Sequence, residues 1–269
     1  MSTVETERVG IQVEDHVAVV TLQRPDKHNA LDRAMFEGIA AAAEEVGRTP
    51  GVRAVVLHGD GPSFCSGLDI ASILADGPGG FEFLDDRSGP RNANLAQRVS
   101  TDWLDLPFPV IAAIHGNCFG GGLQIALGAD IRIAAPDAKL SVMEARWGLV
   151  PDMGITQSLP RLVGLDHAKE LTFTARRVSG EEAAALGLVT RTADDPLAAA
   201  RELASEIAGR SPDAVRAAKR LYEETWPAIA ENALALETEL QVGLMGSPNQ
   251  LEAVRAGFAK EPANFTDPS

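Results

Sequence analysis

The 269-residue sequence is poor in cysteine, with two, and in tyrosine, with one, and carries no long apolar run. Cys65 and Cys118 are too few to staple a disulfide scaffold, and no Cys/His cluster has zinc-ligand spacing, so no metal site is expected. No apolar stretch is long enough to span a bilayer. The first residues, MSTVETERVG, lack the basic-then-apolar layout of a secretory signal, so a cytoplasmic protein is expected. Positive charge is also scarce: 24 Lys and Arg stand against 38 Asp and Glu, for a net charge of −14. That argues against nucleic acid as a partner, because phosphate contacts need clustered cations. An anionic ligand would have to be held by local dipoles and a few placed cations. What is present is ordinary for a globular chain: 45% hydrophobic and 23% charged residues, enough for one large domain or one domain with a small appendage.

Strands and helices alternate through the first two thirds. Residues 10–13 and 16–22 resemble a hairpin closed at Glu14-Asp15. Residues 31–46 place Leu31, Met35, Ile39 and Val46 at helical spacing. Residues 52–58 and 110–114 have the apolar character of strands buried on both faces. Short helices are predicted over 68–74, 91–104 and 123–127, a strand over 131–134 and a flexible loop over 76–80. Ser179 with Glu182 fits a capping box, and Ser211-Pro212 fits a cap followed by proline at the first helical position. Helices are predicted over 202–209, 214–224 and 226–244. The division is therefore a core over 1–195 and a helical region over 196–269, with both polar ends, 1–6 and 264–269, frayed.

Two stretches suggest chemistry. In HGNCFGGGLQIALGAD, residues 115–130, a strand runs through glycines into a helix near Gly121. Free N–H groups and the helix dipole then favour negative charge at one point. Residues 52–58 run into GDGPSFCSGLDI in the same way, with a helix start near Leu68. Each junction could supply one N–H to a single oxygen, forming an oxyanion hole. The alternative is that the glycines only permit tight helix–sheet packing. Nucleotide fingerprints are not met: the spacing is not G-x-G-x-x-G, and no Gly-Lys-Ser/Thr follows.

Three segments carry a resemblance. Residues 64–70, FCSGLDI, are similar to a family pattern F-x-[AS]-G-x-D-[IL]. His115-Gly116 with Gly120-Gly121-Gly122 resembles N/H-G-x-x-x-G-G-G, and Arg24-Pro25 with Asn29-Ala30-Leu31 also matches. In this order the chain resembles the crotonase superfamily, the enoyl-CoA hydratases and isomerases, from about Val9 to Phe265. The resemblance implies an α/β fold built as a spiral of ββα turns with a C-terminal helical region, assembled as trimers or dimers of trimers. It implies an acyl-CoA thioester as substrate, with coenzyme A part of that substrate and no separate cofactor. Its carbonyl oxygen would lie between the N–H groups of Leu68 and Gly121, where enolate charge develops.

Hydratases of the family use two glutamates; the corresponding positions here are Gln124 and Glu144. Glutamine can hold a water or orient a group, but it is no acid or base at neutral pH. Glu144 alone suffices to move a proton between C2 and C4 of a 3-enoyl thioester, as family isomerases with a single glutamate do. Asp152 stands near the aspartate with which dienoyl-CoA isomerases reach C6, although those enzymes also carry an aspartate where Gln124 stands. Asp152 is equally suited to cap a helix starting near Gly154.

Ala30, Ser66, Asp69 and Ile70 are candidates for contacts to the CoA moiety, mainly through backbone groups, and His28 is a candidate substrate contact or a loop-lining residue. Trp147 and Trp103 are candidates either for the acyl pocket or for the core. Phe258 and Lys260 resemble residues that touch the CoA adenine and phosphate, often from a neighbouring subunit. His58 and His115 are expected to be structural, and the two cysteines to fill space. The favoured reading is an enoyl-CoA double-bond isomerase. A 2-enoyl-CoA hydratase, with Gln124 positioning water, and a non-catalytic acyl-CoA-binding paralogue are the alternatives.

Overall fold

The N-terminal segment expected to fray is a strand. In the computed structural model, which describes residues 2–5, 7–75, 84, 87, 89–226 and 230–267, β1 (Ser2–Glu5) pairs antiparallel with β2 (Val9–Glu14), and β2 pairs with β3 (Val17–Leu22). Asp15 and His16 form the turn with φ of 47° and 67°, so His16 leaves the predicted strand. Positive φ at both turn residues gives the mirror-image geometry that suits strand twist. Helix α1 (Arg33–Arg48) is capped by Asp32, whose carboxylate accepts from the Met35 N–H. It buries Met35, Phe36, Ile39 and Val46.

β4 (Ala54–Gly59) follows, and α2 (Ile70–Ala75) begins two residues later than predicted. The delay has a cause: Leu68 pairs with Leu31 as an isolated parallel bridge. The expected flexible loop over 76–80 lies outside the described residues. α3 (Leu95–Leu104) also starts late, after a 3-10 turn, because Asn94 and Gln97 form a reciprocal capping box. The chain continues through β5 (Val110–Ile114), β6 (Asn117–Phe119), α4 (Gly121–Leu127), β7 (Ile131–Ala134) and β8 (Lys139–Ser141). Next come α5 (Leu159–Val163), α6 (Leu165–Thr174), β9 (Val178–Ser179), α7 (Gly180–Ala185) and β10 (Arg191–Thr192). Four helices end the fold: α8 (Pro196–Ala208), α9 (Pro212–Thr225), α10 (Ala230–Leu244) and α11 (Pro248–Ala259).

Seven strands form one sheet in the order β1-β2-β3-β4-β5-β7-β10, parallel from β3 onward; β6, β8 and β9 form a second. Successive turns of the chain therefore send one strand to the large sheet, the next to the small one, and then a helix. This is the ββα spiral. One face of the large sheet packs with α1 and α3 around Leu57, Phe36 and Trp103. Its other face, from Val17, Val56, Ile111 and Ile133, is covered by Ala200, Ala204 and Ala208 of α8. Alanine at every fourth position gives α8 a smooth side that lies close to the sheet. The strands stop before residue 196, but α8 belongs to the core. The C-terminal end is tied as well: Arg53 Nε donates to Asp267 at 2.7 Å, and Asn249 holds Thr266.

Candidate active site

The two strand-to-helix junctions run side by side. Cys65 and Cys118 form a parallel bridge, with the Cys65 N–H donating to Asn117 and the Phe119 N–H to Cys65. The thiols are fully buried, and burial pushes Cys65 up to about 12, so these cysteines fill space. Glycine is required where the junctions touch. A Cβ on Gly122 would fall 2.3 Å from the Cys65 carbonyl oxygen. Gly120 has φ 52° and ψ −120°, a conformation left to glycine. The Cβ position of Gly67 lies 3.7 Å from the Gly121 nitrogen, so Leu68 and Gly121 start their segments within one small space. Neither N–H donates to an acceptor among the described residues. Two such donors are suited to receive negative charge.

Both residues line a cavity of about 480 Å³. Phe36, Leu84, Ala96 and Met153 give it an apolar lining, and Ser66, Ile70, Glu144, Trp147 and Asp152 are among its other walls. Glu144 opens a 3-10 turn (Glu144–Trp147) and is buried. Its Oε1 accepts from Gln124 Nε2 at 2.6 Å, while Oε2 is buried without a hydrogen-bond partner among the described residues. Burial raises the Glu144 carboxyl above its ordinary 4.5; the Gln124 bond opposes this, and the charge of Asp152 adds to it. Gln124 does not line the cavity. It lies beneath Glu144, 1% exposed, and its Oε1 accepts from the Met153 N–H at 2.9 Å.

Asp152 is not a helix cap. The turn Ile155–Gln157 is preceded by Gly154 in a left-handed conformation and has no side-chain cap. Asp152 instead faces the cavity, and its crowded surroundings push its carboxyl above 3.8. Trp147 lines the cavity and is 59% exposed, whereas Trp103 is a fully buried core residue.

Several sequence candidates lie elsewhere. His28 is exposed, in left-handed backbone, with its ring on Ser63 Oγ at 2.8 Å. Ala30 is buried, and its carbonyl accepts from Arg24. Asp69 is occupied internally: its carboxylate accepts from the Ser72 N–H and from Arg24 Nη1 at 2.8 Å, and its own N–H donates to Leu31. Partial burial raises the Asp69 carboxyl, but these bonds outweigh it, and the net shift is downward. Phe258 is 86% exposed near the end of α11, and Lys260 caps that helix; neither reaches the cavity within one chain. His58 and His115 bond to Thr21 and Gly61 and stay outside it.

The sequence reading missed Arg146 and Arg177 on the rim. Neither has an acidic partner among the described residues, and the Arg177 guanidinium sits 4.9 Å over the Phe119 ring. Among the described residues, no group of three or more His, Cys, Asp and Glu is arranged to hold a metal ion. No helix of the described residues is long and apolar enough to cross a membrane.

A ββα spiral whose two glycine-bearing junctions meet over a buried glutamate defines a class, and comparison with known proteins gives it a name. The enoyl-CoA hydratase/isomerase family model matches residues 12–268, and the chain belongs to that family, within the crotonase superfamily of enzymes. It is 33% identical over 259 residues to the short-chain-enoyl-CoA hydratase of Clostridium acetobutylicum, covering 95% of this chain and 96% of that one. It is 38% identical over 218 residues to the mitochondrial Delta(3,5)-Delta(2,4)-dienoyl-CoA isomerase of Rattus norvegicus, covering 76% of this chain and 64% of that one. The crystal structure of an enoyl-CoA hydratase from Bacillus anthracis superposes with a TM-score of 0.87 at 30% identity, covering 96% of this chain and 99% of that one.

Proposed function

We propose that this enzyme moves a double bond along a 3-enoyl- or 3,5-dienoyl-CoA thioester, with Glu144 as its base. The observation that carries the reading is the pairing at the cavity floor: one buried carboxylate with a free oxygen, and an amide where a second acid would serve hydration. Glu144 takes a proton from C2. The electron pair moves into the C1–C2 bond, and the thioester oxygen gains negative charge facing the Leu68 and Gly121 N–H groups. Return of the proton at C4 gives the 2-enoyl ester, and no atom is added or lost. For a dienoyl chain, Asp152 delivers a proton at C6 instead, and the enzyme is reset when Glu144 gives up the C2 proton and Asp152 takes one up, through solvent. The raised Glu144 carboxyl is closer in strength to the proton it must carry.

Coenzyme A is part of the substrate, and the step calls on no resident cofactor. Arg146 and Arg177 are suited to the negative charge of that carrier. Large apolar residues exposed on and just after α9–α11, among them Tyr222, Trp226, Met245 and Phe258, fit assembly into trimers or dimers of trimers. In such an assembly Phe258 and Lys260 would serve a neighbouring site.

Product analysis by mass spectrometry in heavy-oxygen water tests the reading. The protein is given 2-trans-enoyl-, 3-enoyl- and 3,5-dienoyl-CoA in parallel. Conversion of the 3-enoyl or dienoyl ester at constant composition is expected. Label gain on the 2-enoyl ester, with no isomerisation, would instead make it a hydratase.

A further inference from the structure

We infer that Gln124 is a positioning residue: its amide is a strut that selects Glu144 Oε2 as the oxygen that carries the proton and ties Glu144 to the Asp152 loop. The inference rests on the reading of Glu144 as the base, and it goes further by saying why an amide stands beneath that base. The Met153 N–H can only donate, so the group facing it at 2.9 Å is the Gln124 oxygen. That leaves the Gln124 NH₂ facing Glu144, where it donates at 2.6 Å to Oε1. The amide therefore has one way to sit. Glu144 Oε1 meets an N–H in either protonation state, so a proton on the carboxyl belongs on Oε2. Oε2 is the buried atom left without a hydrogen-bond partner among the described residues, on a residue that lines the cavity.

The strut also has length. Met153 follows Asp152, so one side chain links the two carboxylates that line the cavity. A glutamate at residue 124 could accept from Met153, but it would then set a second carboxylate against Oε1. Two carboxylates that close share one proton, and the base would be free only at higher pH. The charged groups on the elements around Glu144 are few. α4 has none, the Glu144 turn has Arg146, the following loop has Asp152, and Arg177 sits on the rim. α6 adds Asp166, His167, Lys169 and Glu170. Of these, Asp152 is the one whose charge raises Glu144.

The test compares wild type, Gln124→Leu and the near-isosteric Gln124→Glu by the pH profile of kcat for isomerisation. The same three proteins are followed by exchange of the C2 hydrogens of a saturated acyl-CoA into heavy water. Exchange needs the base and the oxyanion donors but no double bond, so it reports on Gln124 even if the isomerase reading fails. Gln124→Leu is expected to lower the exchange rate by about 100-fold through misplacement of the base, with KM changed far less, and to move the acidic limb upward. Gln124→Glu is expected to move that limb up by at least about one pH unit. Folded variants of both kinds with the wild-type limb and rate would overturn the inference. Exchange absent from the wild type would overturn both the inference and the role of Glu144. Exchange present without isomerisation would overturn the reaction assignment alone.

Discussion

The floor and the rim of the cavity are built on opposite terms. At the floor, Gln124 and Glu144 are buried, and their polar atoms are joined in one chain from the Met153 N–H to Glu144 Oε1. At the rim, Trp147, Leu149 and Val150 expose 54–75% of their surface, and Arg146 and Arg177 have no acidic partners among the described residues. A low-dielectric floor strengthens every charge interaction there and makes an unpaired oxygen costly. A wet rim weakens each contact but lets it be exchanged for a ligand. The difference suggests that the floor sets the reaction and the rim sets which ester is held.

The sharpest test of that division removes the floor charge. Glu144→Gln is expected to lower kcat by about 100- to 10,000-fold, with acyl-CoA affinity nearly unchanged by calorimetry. The same change should stabilise the fold at neutral pH. Burial raises the folded Glu144 carboxyl above its ordinary 4.5, so the native state holds this proton more tightly than the unfolded chain. Its contribution is complete below the unfolded pKa and is lost as pH rises through the folded one. The thermal midpoint of Glu144→Gln should thus exceed that of the wild type near pH 7 and match it in acid. An equal midpoint at both pH values would mean the floor is less dry than its geometry requires.

Asp152 also lines the cavity, and in the proposed reaction one substrate needs it and the other does not. Asp152→Asn is expected to cut conversion of a 3,5-dienoyl ester by about 100-fold while a 3-enoyl ester loses less than about threefold. Equal losses on both would make Asp152 part of the general machinery instead of the acid for C6. Because partial desolvation holds its carboxyl above 3.8, dienoyl turnover, which needs Asp152 protonated, should fall as pH rises through that raised value, whereas 3-enoyl turnover should not.

The sequence carried the fold further than the site. Strands such as 110–114 and the caps at Ser179 and Ser211 rest on neighbours in the chain and stand where pattern put them, although the expected box at Ser179 is only half closed, because the Glu182 carboxylate accepts from Arg176 instead. The meeting of the two junctions depends on Cys65 against Cys118, 53 residues apart, and no local pattern encodes it. That the Asp69 side chain is held by Arg24, 45 residues earlier, is likewise beyond any local pattern. Asp152 could not be sorted between cap and acid because left-handed Gly148 and Gly154 decide the path of its loop. Gln124 was legible as a missing acid, but its partner Met153 was not, since the bond is to backbone 29 residues on. Arg177 reaches the rim just before β9, far from any glycine motif, so only its charge in an acidic chain could have drawn notice.

Arg177 gives the mildest test and the one most specific to the rim. Its guanidinium lies over Phe119, whose backbone leads into Gly120 and the Gly121 N–H, unpaired among the described residues, so its loss could act either on binding or on the floor beneath. An exposed cation–π contact is worth about 0.5–1 kcal/mol. If Arg177 meets the ester's negative charge with comparable strength, Arg177→Ala should raise KM by about two- to fivefold and leave kcat unchanged. Added salt should shrink the difference, because an exposed charge is screened within about 10 Å at 0.1 M ionic strength. A fall in kcat with KM unchanged would instead mean that Phe119 transmits the loss to Gly121, and that rim and floor are one mechanical unit.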